Sequence, residues 1–200
     1  MKAIRLLGRG SSLQKVPIDE TETWGIKFTW NVCRVDKAFI LDDWKWLIER
    51  RGGEDVIKKF NDAKIPIVSC QKHPKILLSE VYPLEEVRKS FGFDYYVDNP
   101  SYMIALAICR GFQRIELFGI DLDEKPADVG DIKIERYEPW ENERACLSFW
   151  LGVAKGMKIE IMLPEESTLL KPVPKSETNL YGYKFGPKLL ELRRKILAKE

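Results

Sequence analysis

The chain has 200 residues, 44% of them hydrophobic and 32% charged, with a formal net charge of +2. That length and balance exclude disorder, give no ground for bulk nucleic-acid binding and suit one domain with a sizeable core. No apolar run nears the roughly 20 residues of a membrane span, no secretory leader is visible, and the four cysteines form no CxxC pair.

A cytoplasmic, reduced protein is therefore expected, with neither membrane nor nucleic acid as partner. Residues 2–7, KAIRLL, read as a buried strand. The next turn, GRGSSL, pairs Gly8 and Gly10 with Ser11 and Ser12. Glycines let a backbone come close to a ligand, and a serine cap at a helix start leaves N–H groups facing an anion. Arg9 adds a charged fork. The pattern is neither GxGxxG nor a P-loop, and a plain βα turn explains it equally well. If a phosphate sits there, Gly10→Val should block binding and leave the fold largely intact.

GIKFTW (25–30) and KAFILD (37–42) read as two more strands. Thr29, Trp30 and Asn31 fall at the end of the first, where Asn31 offers both a donor and an acceptor to a base or ribose. Asp42 and Asp43 end the second. One of them suits a helix cap; the other is functional or merely solvated. Residues 42–63 have apolar positions at helical spacing, interrupted by Gly52 and Gly53. IPIVSC (65–70) is a fourth strand, followed by the sole histidine, His73, a weak candidate for a general base. PLEEVRKSFG and SYMIALAICRG read as helices, the second led by a capping Ser101. RIELFGI is a strand that runs into Asp121 and Asp123. Acidic residues there suit a ribose hydroxyl or Mg²⁺, with Asp121 the metal ligand, partly exposed at a cleft mouth. A lid is expected over 122–140. A helix (141–156), a strand (158–163), Tyr181 and Tyr183 in NLYGY as base-stacking aromatics, and a basic amphipathic helix over 187–199 complete the chain.

Strands alternating with helices predict one α/β domain over 1–200, a Rossmann-like, mainly parallel sheet covered on both faces. Ligands of such sheets bind beyond the carboxyl ends of the strands.

Three blocks together resemble a Rossmann-like superfamily that includes bacterial sialyltransferases using CMP-sialic acid and archaeal 6-hydroxymethylpterin diphosphokinase-like proteins. GRGSSL is similar to the opening G-x-G-[PS]-S-L. SYMIALAICRGFQRIELFGIDL is similar to a serine-led, alanine-rich helix and a strand ending G-x-D. LSFWLGVAKGMKIEIMLPEESTLL is similar to a helix, a strand and a Pro-x-x-Ser-x-Leu turn, and the subsequent YGY to small phage-type proteins of this pattern. The resemblance implies that Gly8, Arg9, Gly10 and Ser12 border a nucleotide's phosphate, with Asn31 near the nucleoside and Ser101 on the opposite wall. Two departures stand out: Arg9 replaces the sialyltransferases' asparagine, and residues 122–143 lack their acid/base histidine.

The expected function is binding of a nucleotide or nucleotide-activated donor, with glycosyl or pyrophosphoryl transfer as the chemistry, Asp121 and Asp123 as catalytic carboxylates and Mg²⁺ as cofactor. The alternatives are a non-catalytic module that senses or sequesters a nucleotide, and a structural domain without a small ligand. A homo-oligomer is left open.

Overall fold

The computed structural model describes residues 1–50, 53–122, 141–165 and 167–170. The chain divides into two compact units after Leu169, and the sheet with its helices belongs to the unit Met1–Leu169. The expected lid beyond Leu122, the expected C-terminal helix, Asp123, Tyr181 and Tyr183 lie outside the described residues.

Among the described residues seven strands form one sheet: β1 (Ala3–Leu7), β2 (Glu22–Ile26), β3 (Lys37–Phe39), β4 (Ile67–Ser69), β5 (Ser79–Val81), β6 (Arg114–Phe118) and β7 (Glu160–Met162). The spatial order is β5-β4-β3-β2-β1-β6-β7, and every pairing is parallel. The helices are α1 (Trp44–Arg50), α2 (Glu54–Asp62), α3 (Leu84–Phe91), α4 (Asn99–Cys109) and α5 (Glu141–Gly156). The chain steps outward from β1 to β5, then returns to lay β6 and β7 on the other side of β1. The direction of winding thus reverses between β1 and β6, the point where α/β sheets open a crevice at their carboxyl ends.

Side chains alternate across the sheet, so each strand feeds two cores. Ile4, Leu6, Phe39, Ile115 and Leu117 meet α3, α4 and α5 on one face. Ala38, Ile40 and Ile67 meet α1 and α2 on the other. Helix α4 is buried almost all round, with Met103 to Ile108 each 5% exposed or less. Ala105 and Ala107 give it the close approach that an enclosed helix needs.

The parallel α/β architecture is as expected, but several element ends differ. The interruption expected at Gly52 and Gly53 is present, with α1 and α2 on either side and Gly53 at φ +63°. Strand β2 starts earlier than GIKFTW and stops at Ile26; Lys27 takes φ +44°, and Thr29–Asn31 coil into a 3₁₀ turn. Strand β5 is Ser-Glu-Val alone, without hydrophobic alternation, and no sequence pattern predicts it. It is an edge strand, with Glu80 and Val81 exposed. Within β1 and β6, Arg5 and Glu116 stand opposite each other, 2% and 7% exposed, with Arg5 Nη2 3.0 Å from Glu116 Oε2. Asp19, from the loop leaving the first turn, receives the same guanidinium through two bonds of 3.1 and 2.9 Å. A buried charge needs such partners to be tolerated.

Candidate functional site

At the reversal point the turns that leave β1 and β6 lock together. Gly8 N–H donates to Phe118 O (2.8 Å) and Gly10 N–H to Gly119 O (2.6 Å). A Cβ on Gly8 would fall inside the Gly119 carbonyl, and one on Gly10 would lie 2.6 Å from Asp121 Oδ2. Gly119 has φ +65°, and a Cβ there would lie 2.7 Å from Gly8 O. Ser12 then closes the joint. Its N–H donates to Asp121 Oδ2 (2.8 Å), its hydroxyl donates to Asp121 Oδ1 (2.6 Å), and its Oγ accepts from Gly119 N–H (2.7 Å). Ser12 and Asp121 are 2% and 1% exposed.

The glycines are thus required by backbone-to-backbone contact inside the protein. The expectation that Gly10→Val spares the fold is corrected by this geometry, as is the placement of Asp121 in a partly exposed mouth. Both Asp121 oxygens accept from Ser12, and among the described residues no group of three His, Cys, Asp or Glu side chains could hold a metal ion. The described residues therefore do not fit the expected Mg²⁺ site.

The third block joins the same knot. Thr168 Oγ1 donates to Asp121 O at 2.5 Å. Arg144, from the first turns of α5, donates to Thr168 O, Leu169 O and Leu122 O at 2.5, 2.8 and 2.9 Å. The three sequence blocks are distant in the chain and are one bonded unit in space. Arg144 escapes sequence reading, since an arginine on a helix surface looks solvated.

Of the other residues singled out, Ser11 is exposed, Arg9 is half-buried beside it, and Asn31 is exposed in the 3₁₀ turn after β2. Ser101 is fully buried and lies in the third helical position rather than at the cap. The cap is Asp98, whose Oδ1 accepts from Ser101 N–H (2.9 Å), while Ser101 Oγ donates to Asp98 O (2.7 Å). His73 sits after β4 with its ring 5.2 Å from that of Trp44, where burial lowers its pKa.

A second polar group lies where β2 and β3 leave the sheet. Lys27 Nζ is 3.1 Å from Asp42 Oδ1, each side chain 20% exposed. Asp43, not Asp42, takes the cap of α1: its Oδ1 accepts from Trp46 N–H at 2.9 Å. The backbone here is tied to α4, with Leu41 N–H donating to Asn99 Oδ1 (2.8 Å). Asp42 Oδ2 and Thr29 Oγ1 are buried and have no hydrogen-bond partner among the described residues. Elsewhere in the larger core Tyr96 stacks on Tyr102 at 4.4 Å, and burial pushes its phenol up to about 12.

No protein-family model matches the chain, and no curated protein matches it. Its fold is similar to solved structures of sialyltransferases. The monofunctional alpha-2,3-sialyltransferase Cst-I from Campylobacter jejuni aligns over 100% of this chain and 94% of its own, at 16% identity and a TM-score of 0.56. The sialyltransferase CstII from Campylobacter jejuni, in complex with the substrate analogue cytidine-5'-monophosphate, aligns over 98% of this chain and 100% of its own, at 14% identity and a TM-score of 0.51. A CST-II variant in complex with CMP aligns over 81% of both chains, at 14% identity and a TM-score of 0.50. At such identities the likeness is one of fold, and it agrees with the resemblance carried by the three blocks.

Proposed function

We propose that the crevice at the carboxyl ends of β1, β2, β3 and β6 binds a cytidine nucleotide or a nucleotide-activated sugar. One observation carries the reading. The winding reverses between β1 and β6, as in sheets that bind nucleotides, and the chain shares its fold with an enzyme solved in complex with cytidine-5'-monophosphate. Within the crevice the Gly8–Ser12 turn acts chiefly as scaffold. Arg9 supplies positive charge for a phosphate, and the exposed Ser11 and Asn31 supply hydroxyl and amide groups. Transfer of the activated group is the chemistry that such a ligand suits, with Arg9 stabilising the leaving phosphate.

A second reading is favoured by one fact. The only histidine, His73, lies after β4 against Trp44, and residues 122–143 contain none. A module that binds the nucleotide and returns it intact needs no acid/base group there. Isothermal titration with CMP, CTP, UMP, AMP and CMP-sialic acid tests the binding. The expected result is preference for the cytidine series, and flat traces for all five would reject it. Release of CMP from CMP-sialic acid faster than in a protein-free control, with the sugar passed to water or to an added sugar acceptor, marks the transferase; release at the control rate marks the module.

A further inference from the structure

We infer that Asp42, oriented by Lys27, is the group that recognises a sugar hydroxyl of the ligand, either the ribose or the transferred sugar. This rests on the proposed nucleotide reading and gives it a residue that sequence leaves undecided between capping and function. Asp43 performs the capping, which leaves Asp42 without a structural task of that kind. Its carboxylate instead faces the end of the neighbouring strand, where Lys27 Nζ holds Oδ1 at 3.1 Å.

Three further observations mark this place as unlike an ordinary surface ion pair. First, Lys27 takes φ +44°, a conformation that L residues other than asparagine and aspartate rarely adopt. Among the described residues three other non-glycine positions share it. Lys64 and Lys158 follow the ends of α2 and α5, where left-handed residues commonly close helices. Lys27 and Leu122 stand at the carboxyl edge of the sheet instead, where local strain goes with ligand binding. Second, Asp42 Oδ2 bonds nothing among the described residues, although it is buried. An unsatisfied carboxylate oxygen is costly and calls for a donor. Oδ1, on the partly exposed side with Lys27, has a second lone pair with which to accept from an arriving hydroxyl. Third, Thr29 Oγ1, in the 3₁₀ turn just after Lys27, is a second buried polar atom without a hydrogen-bond partner among the described residues; it packs against Gly25 of β2 and holds the turn on the strand rather than facing a ligand.

A carboxylate at a strand's carboxyl end is the usual acceptor for a ribose hydroxyl in nucleotide-binding sheets. Asp121 would be the first choice by position, but both its oxygens belong to Ser12. Asp42 Oδ1, paired only with Lys27 among the described residues, keeps acceptor capacity at this edge. The half-buried Lys27 holds it aligned.

The test is titration of wild type, Asp42→Asn and Lys27→Gln with CMP, 2′-deoxy-CMP and CMP-sialic acid. A ribose contact predicts that Asp42→Asn loses about tenfold or more in affinity for CMP, with no loss for 2′-deoxy-CMP if the hydroxyl is the 2′ one and the same loss if it is the 3′ one. A contact to the transferred sugar predicts wild-type affinity for CMP and a similar loss for CMP-sialic acid only. Should Asp42→Asn fold poorly, Lys27→Gln leaves the carboxylate in place and is expected to weaken only those ligands that carry the contacted hydroxyl. Wild-type affinities in both variants for all three ligands would overturn the assignment while leaving the nucleotide reading standing. Failure of the wild type to bind any of the three would overturn both.

Discussion

Where β1 and β6 leave the sheet, Ser12 donates twice to Asp121 and accepts from Gly119 N–H, so both side chains are satisfied. Where β2 and β3 leave it, Asp42 Oδ2 and Thr29 Oγ1 find no partner among the described residues. The first place carries a sequence motif and the second does not. Glycines spaced to bring two backbones together, with a serine and an aspartate to pin them, leave a strong pattern because every position is constrained by the fold. On the proposed reading the second place keeps a group for a ligand that is not in the chain, so no neighbour in the sequence betrays it.

The largest expected effect tests the first half of this contrast. Gly8→Ala puts a methyl group into the Gly119 carbonyl, a backbone atom that cannot rotate away. A loss of about 4 kcal/mol or more is expected, enough to leave little folded protein. A soluble, cooperatively melting Gly8→Ala protein would show that the two turns are not locked. Asp121→Ala comes next. It strands the buried N–H and hydroxyl of Ser12, for about 3 kcal/mol in denaturant unfolding at unchanged m-value. A loss under 1 kcal/mol would free Asp121 for a ligand again.

The parallel sheet was legible because KAIRLL, IPIVSC and RIELFGI are short apolar runs between helical segments, the mark of strands buried on both faces. The GRGSSL turn and the acid after FGI were legible as special positions. Their partnership was not, since 109 residues separate Ser12 from Asp121, and a local pattern carries no long-range pairing. Ser-Glu-Val at the edge is too short to show a period. Ser101 reads as a cap because serine commonly is one; Asp98, three residues earlier, takes that place. Lys27 looks like any lysine after a strand, for neither its φ nor its neighbour across the sheet is written in its type.

The loop that leaves the first turn provides a smaller effect, read by acid. The Arg5 guanidinium, by hydrogen bonding, holds the Asp19 carboxyl well below the usual aspartate range. A folded-state pKa below the unfolded one gives stability that is present above the unfolded value and lost as pH falls toward the folded one. The melting temperature of wild type should therefore exceed that of Asp19→Asn at neutral pH. The gap should begin to close as pH drops through the ordinary aspartate value and go on closing into strong acid. A constant gap from pH 7 to pH 2 would mean that Asp19 acts by packing and not by charge.

The smallest effect probes strain at the second place, and it needs two variants because Lys27 does two things. Lys27→Ala removes the ion pair with Asp42 and keeps a Cβ at φ +44°. Lys27→Gly removes the same ion pair and the Cβ with it. The lost pair cancels between the two, so their difference reports the backbone alone. At an ordinary position alanine is the more stable, since glycine loses more freedom on folding. At a left-handed position the order reverses, and Lys27→Gly is expected to be the more stable by about 1 kcal/mol. Both should bind the nucleotide ligand less well than wild type, because neither can orient Asp42. Glycine more stable and binding weaker is the pattern of a residue whose strain is kept for a ligand. Alanine equal to or more stable than glycine would remove the strain. The exits of β2 and β3 would then differ from those of β1 and β6 only in their unpaired oxygens.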